Sequence, residues 1–370
     1  MKKILIVGGG IGGMCCAVQL AKAGLDVTLV DIDPNWRVYG TGITITGPTF
    51  RALREIGVME QVIARGFPGR GSRARTQSGI LFKEVISVGL EPGVPDGGGI
   101  LRPALHQILS DKTVAMGVRV RLGLTVERMS SNPREAVVGF SDQSEEHFDL
   151  VIGADGINSK VRSLVFPDTP APRFTGQGAW RVLAPRPPEV DMIEMYLGGT
   201  VKAGVTPVSQ NQLYMFTLSR ETAGAFIAPA AQPGRLREVL AGFGGLIGEI
   251  RDSLSAESPI VYRPLHIVLL PPPWHRGRVV LVGDAVHATT PHLASGAGCA
   301  VEDALVLAQE ITRHAVLEDA LVAYTHRRFE RCRDVVETSA KLGEMELAGA
   351  AGELQARVYS EAMMRLTAPI

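Results

Sequence analysis

The chain carries no net charge and little of several features that would narrow its class at once. Its 370 residues hold 38 basic and 38 acidic side chains. With no basic surplus to neutralise a phosphate backbone, nucleic acid is excluded as an expected partner. Cysteine is scarce: Cys15, Cys16, Cys299 and Cys332 are all there is, and no pair has C-x-x-C or metal-ligand spacing. Cys15 and Cys16 are adjacent and have no sensible bridge to each other. The expectation is therefore buried, reduced thiols in a cytoplasmic protein, with no disulfide framework and no metal. No apolar run reaches the roughly 18 residues a membrane span needs. Met1-Lys2-Lys3 precedes only Ile4-Leu5-Ile6-Val7 before glycines intervene, too short for the apolar region of a signal peptide. A chain without membrane contact is expected.

Glycine, by contrast, is plentiful. Lys3 to Val7 is an apolar run suited to a buried strand, and Gly8-Gly9-Gly10-Ile11-Gly12-Gly13 follows directly. A helical pattern with Met14, Val18 and Leu20 on one side ends at Gly24. A second apolar run, Val27 to Val30, closes on Asp31. Gly8, Gly10 and Gly13 stand at G-x-G-x-x-G spacing, which serves a tight turn, close approach of a pyrophosphate and close helix–strand packing. The N–H groups from Gly10 through Ile11 and Gly12 to Gly13 then face the phosphates at the positive end of the helix. Asp31 is placed for the adenosine ribose. These residues predict a dinucleotide and leave open which one.

Two later stretches bear on that choice. Asp149-Leu150-Val151-Ile152-Gly153-Ala154-Asp155-Gly156 runs on to Ser159 and Arg162. Val279-Val280-Leu281-Val282-Gly283-Asp284 continues through His287, Pro291 and Gly296-Ala297-Gly298 to Glu302-Asp303-Ala304. With the N-terminal unit, these resemble the single-component FAD-dependent aromatic hydroxylases, the group A flavoprotein monooxygenases, from Lys3 to about Arg328. The resemblance implies the p-hydroxybenzoate hydroxylase type of fold. It also implies bound FAD, with NAD(P)H and O2 as co-substrates and no separate nicotinamide domain. The expected activity is hydroxylation of a small phenolic or hydroxylated heterocyclic substrate through a flavin C4a-hydroperoxide.

Residue by residue, the resemblance lays Arg37 along the flavin and gives Arg102, followed by Leu105, a contact to FAD. It makes Asp155 an anchor beside the cofactor, and Asp284 the partner of the ribityl chain. Pro291 opens a loop whose Gly296, Ala297 and Gly298 present N–H groups to the flavin. The family usually has glycine where Ala294 stands and often glutamine at Ser295, so the backbone of this loop is where the chain departs. His287 is expected to pack near the cofactor. His292 and Tyr214 are the candidates for deprotonating or orienting the substrate hydroxyl.

The architecture expected is α/β. Residues 1–70, 98–170 and 274–330 form a discontinuous Rossmann-like FAD-binding domain. Residues 71–97 and 171–273 form an inserted β-sheet substrate domain, read as antiparallel with one helix from Leu236 to Ile250, and 331–370 a C-terminal helical segment. Val118 to Leu122 and Ala136 to Phe140 alternate like a hairpin. Tyr214 and Phe216 share one strand face, and Trp180, Arg181, Tyr196 and Tyr214 are pocket candidates. The last segment caps the core or forms a dimer seam, leaving monomer and homodimer both open. Of the rivals, a flavin-dependent halogenase lacks its W-x-W-x-I-P signature, because Trp36, Trp180 and Trp274 are isolated. An FAD oxidase or dehydrogenase, an epoxidase, and a nicotinamide-binding sensor without turnover are the others.

Overall fold

A computed structural model describes residues 3–38, 40–87 and 89–370; Met1, Lys2, Tyr39 and Val88 lie outside the described residues. The central sheet has six strands in the order His275–Arg276, Val279–Leu281, Leu150–Gly153, Lys3–Val7, Asp26–Asp31, Arg119–Leu122. All neighbours pair in parallel except the first two. Ile4, Leu5 and Ile6 are fully buried, as a parallel sheet covered on both faces demands. The register sets Val7 beside Val30 and Gly153. Gly8, Asp31, Ala154 and Gly283 therefore emerge together at the carboxyl edge of the sheet, where open α/β folds bind ligands.

The first helix, Ile11–Lys22, packs against the helix Gly296–Arg313. Small residues permit this. A Cβ on Gly12 would sit 3.2 Å from the Ala300 Cβ, and one on Gly13 only 1.9 Å from the Gly8 carbonyl oxygen.

The second sheet has seven strands: Ile260–Ile267, Arg173–Pro185, Gln212–Arg220, Lys202–Pro207, Ile193–Leu197, Gly71–Thr76, Leu81–Ile86. It is mixed rather than antiparallel, because Ile193–Leu197 pairs in parallel with Gly71–Thr76. The earlier stretch of chain joins the sheet edge in the opposite sense. The single helix expected at 236–250 is two, Gln232–Val239 and Gly245–Ser253. Gly242 and Gly244 break it, and the Gly244 N–H donates to the Gln77 carbonyl instead of continuing the helix. The expected hairpin also dissolves. Arg119–Leu122 belongs to the central sheet, and Ala136–Phe140 pairs with Val126–Ser131 and Glu145–Phe148. Alternation identified strands but not their partners.

The C-terminal region is a 31-residue helix, Leu317–Leu347, and a second, Gly352–Leu366, separated at Gly349 (φ 68°). Among the described residues, no helix is long and apolar enough to cross a membrane.

Candidate active site

At the first turn, a Cβ on Gly8 would lie 2.4 Å from the Ala154 carbonyl oxygen, so this glycine lets the two sheet-edge loops touch. Gly10 is different: a Cβ there would meet no atom within 4 Å. Its surface faces open space. The helix beginning at Ile11 has no side-chain cap, which leaves its first N–H groups directed at that space. Asp31 accepts from the Gly9 N–H at 2.6 Å and, through its other oxygen, from the Asp33 N–H at 2.8 Å. The Trp36 indole donates to the Gly9 carbonyl at 2.9 Å and meets His106 edge-on at 5.6 Å. Sequence reading missed both Trp36 and His106, which carry no local signal. Arg37 lies on the exposed loop and reaches Asp33 at 3.2 Å. Arg102 packs its aliphatic stem across Gly40, whose Cβ would come within 2.7 Å of Cδ.

Asp155 is half-buried at the end of the third central strand, after Gly153. One carboxylate oxygen accepts from Ser159 Oγ at 2.5 Å, the other from the N–H groups of Lys160 and Val161. It thereby supports the start of the helix Lys160–Val165, whose N-cap is Ser159, accepting from the Arg162 N–H at 2.9 Å. Arg162 on that helix donates to the carbonyls of Ile157 and Ala285, tying the second motif to the third. Both oxygens of Asp155 are thus taken up by groups of its own loop and helix.

Gly283 adopts φ 58°, which turns Asp284 off the strand end. Asp284 lies deep among protein atoms yet keeps an exposed side chain, as a residue lining an interior cleft does. Burial raises its pKa, and His287 and Arg102 offset part of that rise. Behind it, Asp303 accepts from the Gly283 N–H (2.8 Å), His287 Nε2 (2.6 Å) and Arg328 Nε (2.8 Å), and Arg328 also meets Glu302 at 2.9 Å. Burial alone would raise the Asp303 carboxyl. His287 and Arg328 outweigh it and hold the pKa at about 2, while Asp303 in turn lifts His287 to about 8. His287 is thus packed and paired.

The flavin loop of the resemblance follows. Pro291 opens a 3-10 turn, Pro291–Leu293. Ala294 takes φ 49°, ψ 24°, the left-handed conformation that suits glycine. The alanine keeps the loop's shape at a conformational cost. The helix Gly296–Arg313 has no side-chain cap, since Ser295 Oγ donates to the Leu293 carbonyl. The N–H groups of Gly296, Ala297 and Gly298 therefore begin an uncapped helix. His292 is buried with both ring nitrogens engaged, Nδ1 with Thr290 Oγ1 at 2.8 Å and Nε2 with Glu346 at 3.1 Å. Glu346 also meets Lys202 (3.2 Å) and Gln177 (3.0 Å). Burial would raise its pKa, but His292, Lys202 and Gln177 bring it down to about 2. Sequence reading did not find this cluster, whose members come from four separate elements.

The seven-stranded sheet has two buried faces. On one, Trp180, Tyr196, Met215 and Tyr262 form a core with the two helices behind. Trp180 and Tyr196 are thus core residues, not pocket residues; Trp180 donates to Ser219 and stacks 4.4 Å from Tyr262. Arg181, Tyr214 and Phe216 lie on the other face, by strand alternation and register. The Tyr214 hydroxyl is 2.6 Å from Thr44 Oγ1, which is 3.2 Å from Thr206 Oγ1. A Cβ on Gly42 would overlap the Tyr214 ring, at 2.2 Å from Cδ1. Only glycine lets the ring rest there.

The donor set along the sheet edge suits a flavin dinucleotide: an open glycine at Gly10, two uncapped helix starts, and a deep accessible carboxylate at Asp284. The FAD binding domain family matches residues 1–232 and 268–339 of the chain. Aurachin C monooxygenase/isomerase of Stigmatella aurantiaca is 32% identical over 351 residues, covering 92% of this chain and 89% of that protein. The chain belongs to the FAD-dependent monooxygenases. Another member, 2-heptyl-3-hydroxy-4(1H)-quinolone synthase of Pseudomonas aeruginosa, is 30% identical over 353 residues, covering 93% and 90% of the two chains. The FAD-dependent monooxygenase fold extends to Klebsiella pneumoniae HpxO complexed with FAD and uric acid, at TM-score 0.84 and 24% identity, covering 99% and 95%.

Proposed function

We propose that this monooxygenase uses NAD(P)H and O2 to hydroxylate a small aromatic substrate, at a cleft between the central sheet's carboxyl edge and the second sheet. In this reading 1–70, 98–170 and 274–330 hold the cofactor, and 71–97 and 171–273 hold the substrate. Gly8, Gly10, Ile11, Gly12 and Gly13 receive the pyrophosphate, Asp31 the ribose, and Asp284 the ribityl chain. Arg37 and Arg102 flank the cofactor, and Asp155 steadies it through the Lys160–Val165 helix. Pro291 sets the loop that aims the N–H groups of Gly296, Ala297 and Gly298 at the ring edge, where they favour negative charge. Held by these residues, FAD would supply hydride acceptance from NAD(P)H and activation of O2, one oxygen atom going to the substrate and the other to water.

The observation that carries the reading is Tyr214 on the cleft face, joined to Thr44 at 2.6 Å and through it to Thr206. This chain of hydroxyls can take the proton of a substrate hydroxyl and hand it on. His292, engaged on both nitrogens, holds the loop against Glu346. An aromatic substrate agrees with relatives named for a hydroxyquinolone and solved with uric acid. The test is NAD(P)H oxidation and oxygen uptake by the FAD-loaded protein across a panel of phenols and hydroxylated heterocycles. Ring-dependent consumption of both supports the reading. Steady substrate oxidation without any need for NAD(P)H would favour an oxidase or dehydrogenase instead.

A further inference from the structure

The C-terminal helix Gly352–Leu366 lies beyond residue 339, where the family match ends, yet it closes on the site. Ala362, with Val358 beside it, packs against Leu342 and against Leu293 of the loop that Pro291 opens. Met363 touches that cluster and the main core as well. Tyr359 stands four residues before Met363, so it shares this inward flank. Its side chain is nevertheless 40% exposed, while its phenol is surrounded by protein. A side chain that is deep and open at once lines an interior cleft, as Asp284 does.

One stretch of chain fixes what Tyr359 faces. Arg51, on the helix Gly47–Ile56, donates to the carbonyls of Thr367 (2.9 Å) and Ala368 (2.7 Å), just past the Tyr359 helix, and meets Glu91 at 3.5 Å. At the start of the same helix, a Cβ on Gly47 would lie 3.0 Å from the Asp96 carbonyl oxygen. The loop from Glu91 to Asp96 and the C-terminal helix are thereby held to one support, and the Asp96 charge acts on the Tyr359 phenol. Three residues before Gly47 is Thr44, whose hydroxyl meets Tyr214 at 2.6 Å. Three extended residues span at most about 10 Å, so the Asp96 loop and Tyr214 border the same space.

Neither polar group is answered within the protein. The Asp96 carboxylate, at the exposed rim, and the Tyr359 hydroxyl make no hydrogen bond or ion pair among the described residues. Burial raises the phenol pKa and Asp96 adds to the rise, so the phenol keeps its proton. A carboxylate only accepts hydrogen bonds, whereas a phenol both donates and accepts. We propose that Tyr359 and Asp96 form the outer wall of the substrate cleft and select an aromatic substrate that carries an N–H donor, on a ring nitrogen or an amino group. The proposal rests on the hydroxylase reading above and narrows it. The N–H donates to Asp96, the Tyr359 hydroxyl bonds the same polar edge, and the far side of the ring meets Tyr214.

The experiment is titration of the FAD-loaded enzyme, followed by the change in flavin visible absorbance. The probes are uncharged matched pairs: 3-aminophenol against 3-methylphenol, and 2-quinolone against 1-methyl-2-quinolone. At least one N–H probe should bind about 10- to 100-fold tighter than its partner, the range for hydrogen bonds to a charged group. Asp96→Asn should remove most of that preference, and Tyr359→Phe should lower it by about 2- to 10-fold, as loss of a neutral hydrogen bond does. Both variants should keep the FAD content of the wild type. Preference confined to the quinolone assigns a ring N–H; preference confined to the aminophenol assigns an amino group. The proposal is overturned if no N–H probe outbinds its partner, if the preference survives intact in either variant, or if Tyr359→Phe releases FAD. A wild-type protein that takes up no FAD sinks the hydroxylase reading itself, whereas one that holds FAD without N–H preference sinks only this inference.

Discussion

Replacing Asp303 by Asn puts the strongest strain on the site's supporting structure. The side chain is fully buried and accepts from three donors, the Gly283 N–H, His287 Nε2 and Arg328 Nε. An amide has one accepting atom. Its NH2 would face either the Arg328 donor or the donors of Gly283 and His287. Two routes give the size of the effect. The depression of the carboxyl from 3.8 to about 2 corresponds to about 2 kcal/mol. Removing one partner of a buried ion pair costs about 3–5 kcal/mol. Glu302 still meets Arg328 at 2.9 Å, so the lower end applies, and the expected loss is about 3 kcal/mol.

The pH dependence gives a second handle. Asp303 is depressed, so its contribution is full above 3.8 and is lost as pH falls toward about 2. His287 is raised from 6.5 to about 8, so its contribution is full below 6.5 and is lost as pH rises through 8. Both dependences rest on the same contact and should flatten together in Asp303→Asn. Denaturant unfolding from about pH 2 to pH 9 reads both, at about half-unit steps. A loss under about 1 kcal/mol, or both limbs intact in the variant, would refute the assignment of this network.

Three other substitutions probe separate parts of the site. Ala294→Gly relieves a left-handed alanine (φ 49°) and should stabilise the fold by about 1 kcal/mol, read as a higher unfolding midpoint; a lower midpoint would contradict the loop geometry. Gly13→Ala drives a Cβ to 1.9 Å from the Gly8 carbonyl and should abolish FAD retention, whereas Gly10→Ala, which meets no protein atom within 4 Å, should fold normally and weaken FAD. Equal effects of the two on folding would argue against Gly10 facing the groove. Tyr214→Phe removes the contact to Thr44 and should cut substrate-dependent turnover about 100-fold or more with FAD affinity retained; unchanged turnover would remove Tyr214 from the chemistry.

Much of the cofactor half was legible in the sequence because its constraints are local. Gly8, Gly10, Gly13 and Asp31 lie within one strand–helix–strand unit, and Gly283-Asp284 within one turn. The second sheet was less so. Alternation told that Tyr214 and Phe216 share a face, but both faces of this sheet are buried, one by helices and one by the cleft. Trp180 and Tyr196 therefore read like pocket residues while packing the core. His292 looked available for proton transfer because its partner Glu346 lies on a distant helix. Arg119–Leu122 found its neighbour in Asp26–Asp31, a pairing fixed by the central sheet's order rather than by nearby residues.

The proposed reaction inserts one atom of molecular oxygen into an aromatic ring at bound FAD. The most direct measurement is turnover of FAD-loaded enzyme with NAD(P)H under isotopically heavy oxygen gas, with the product weighed by mass spectrometry. The expected result is a ring product carrying a single heavy oxygen atom, formed only when NAD(P)H is present. A product whose new oxygen comes from water, or one that has lost hydrogen and gained no oxygen, would contradict it.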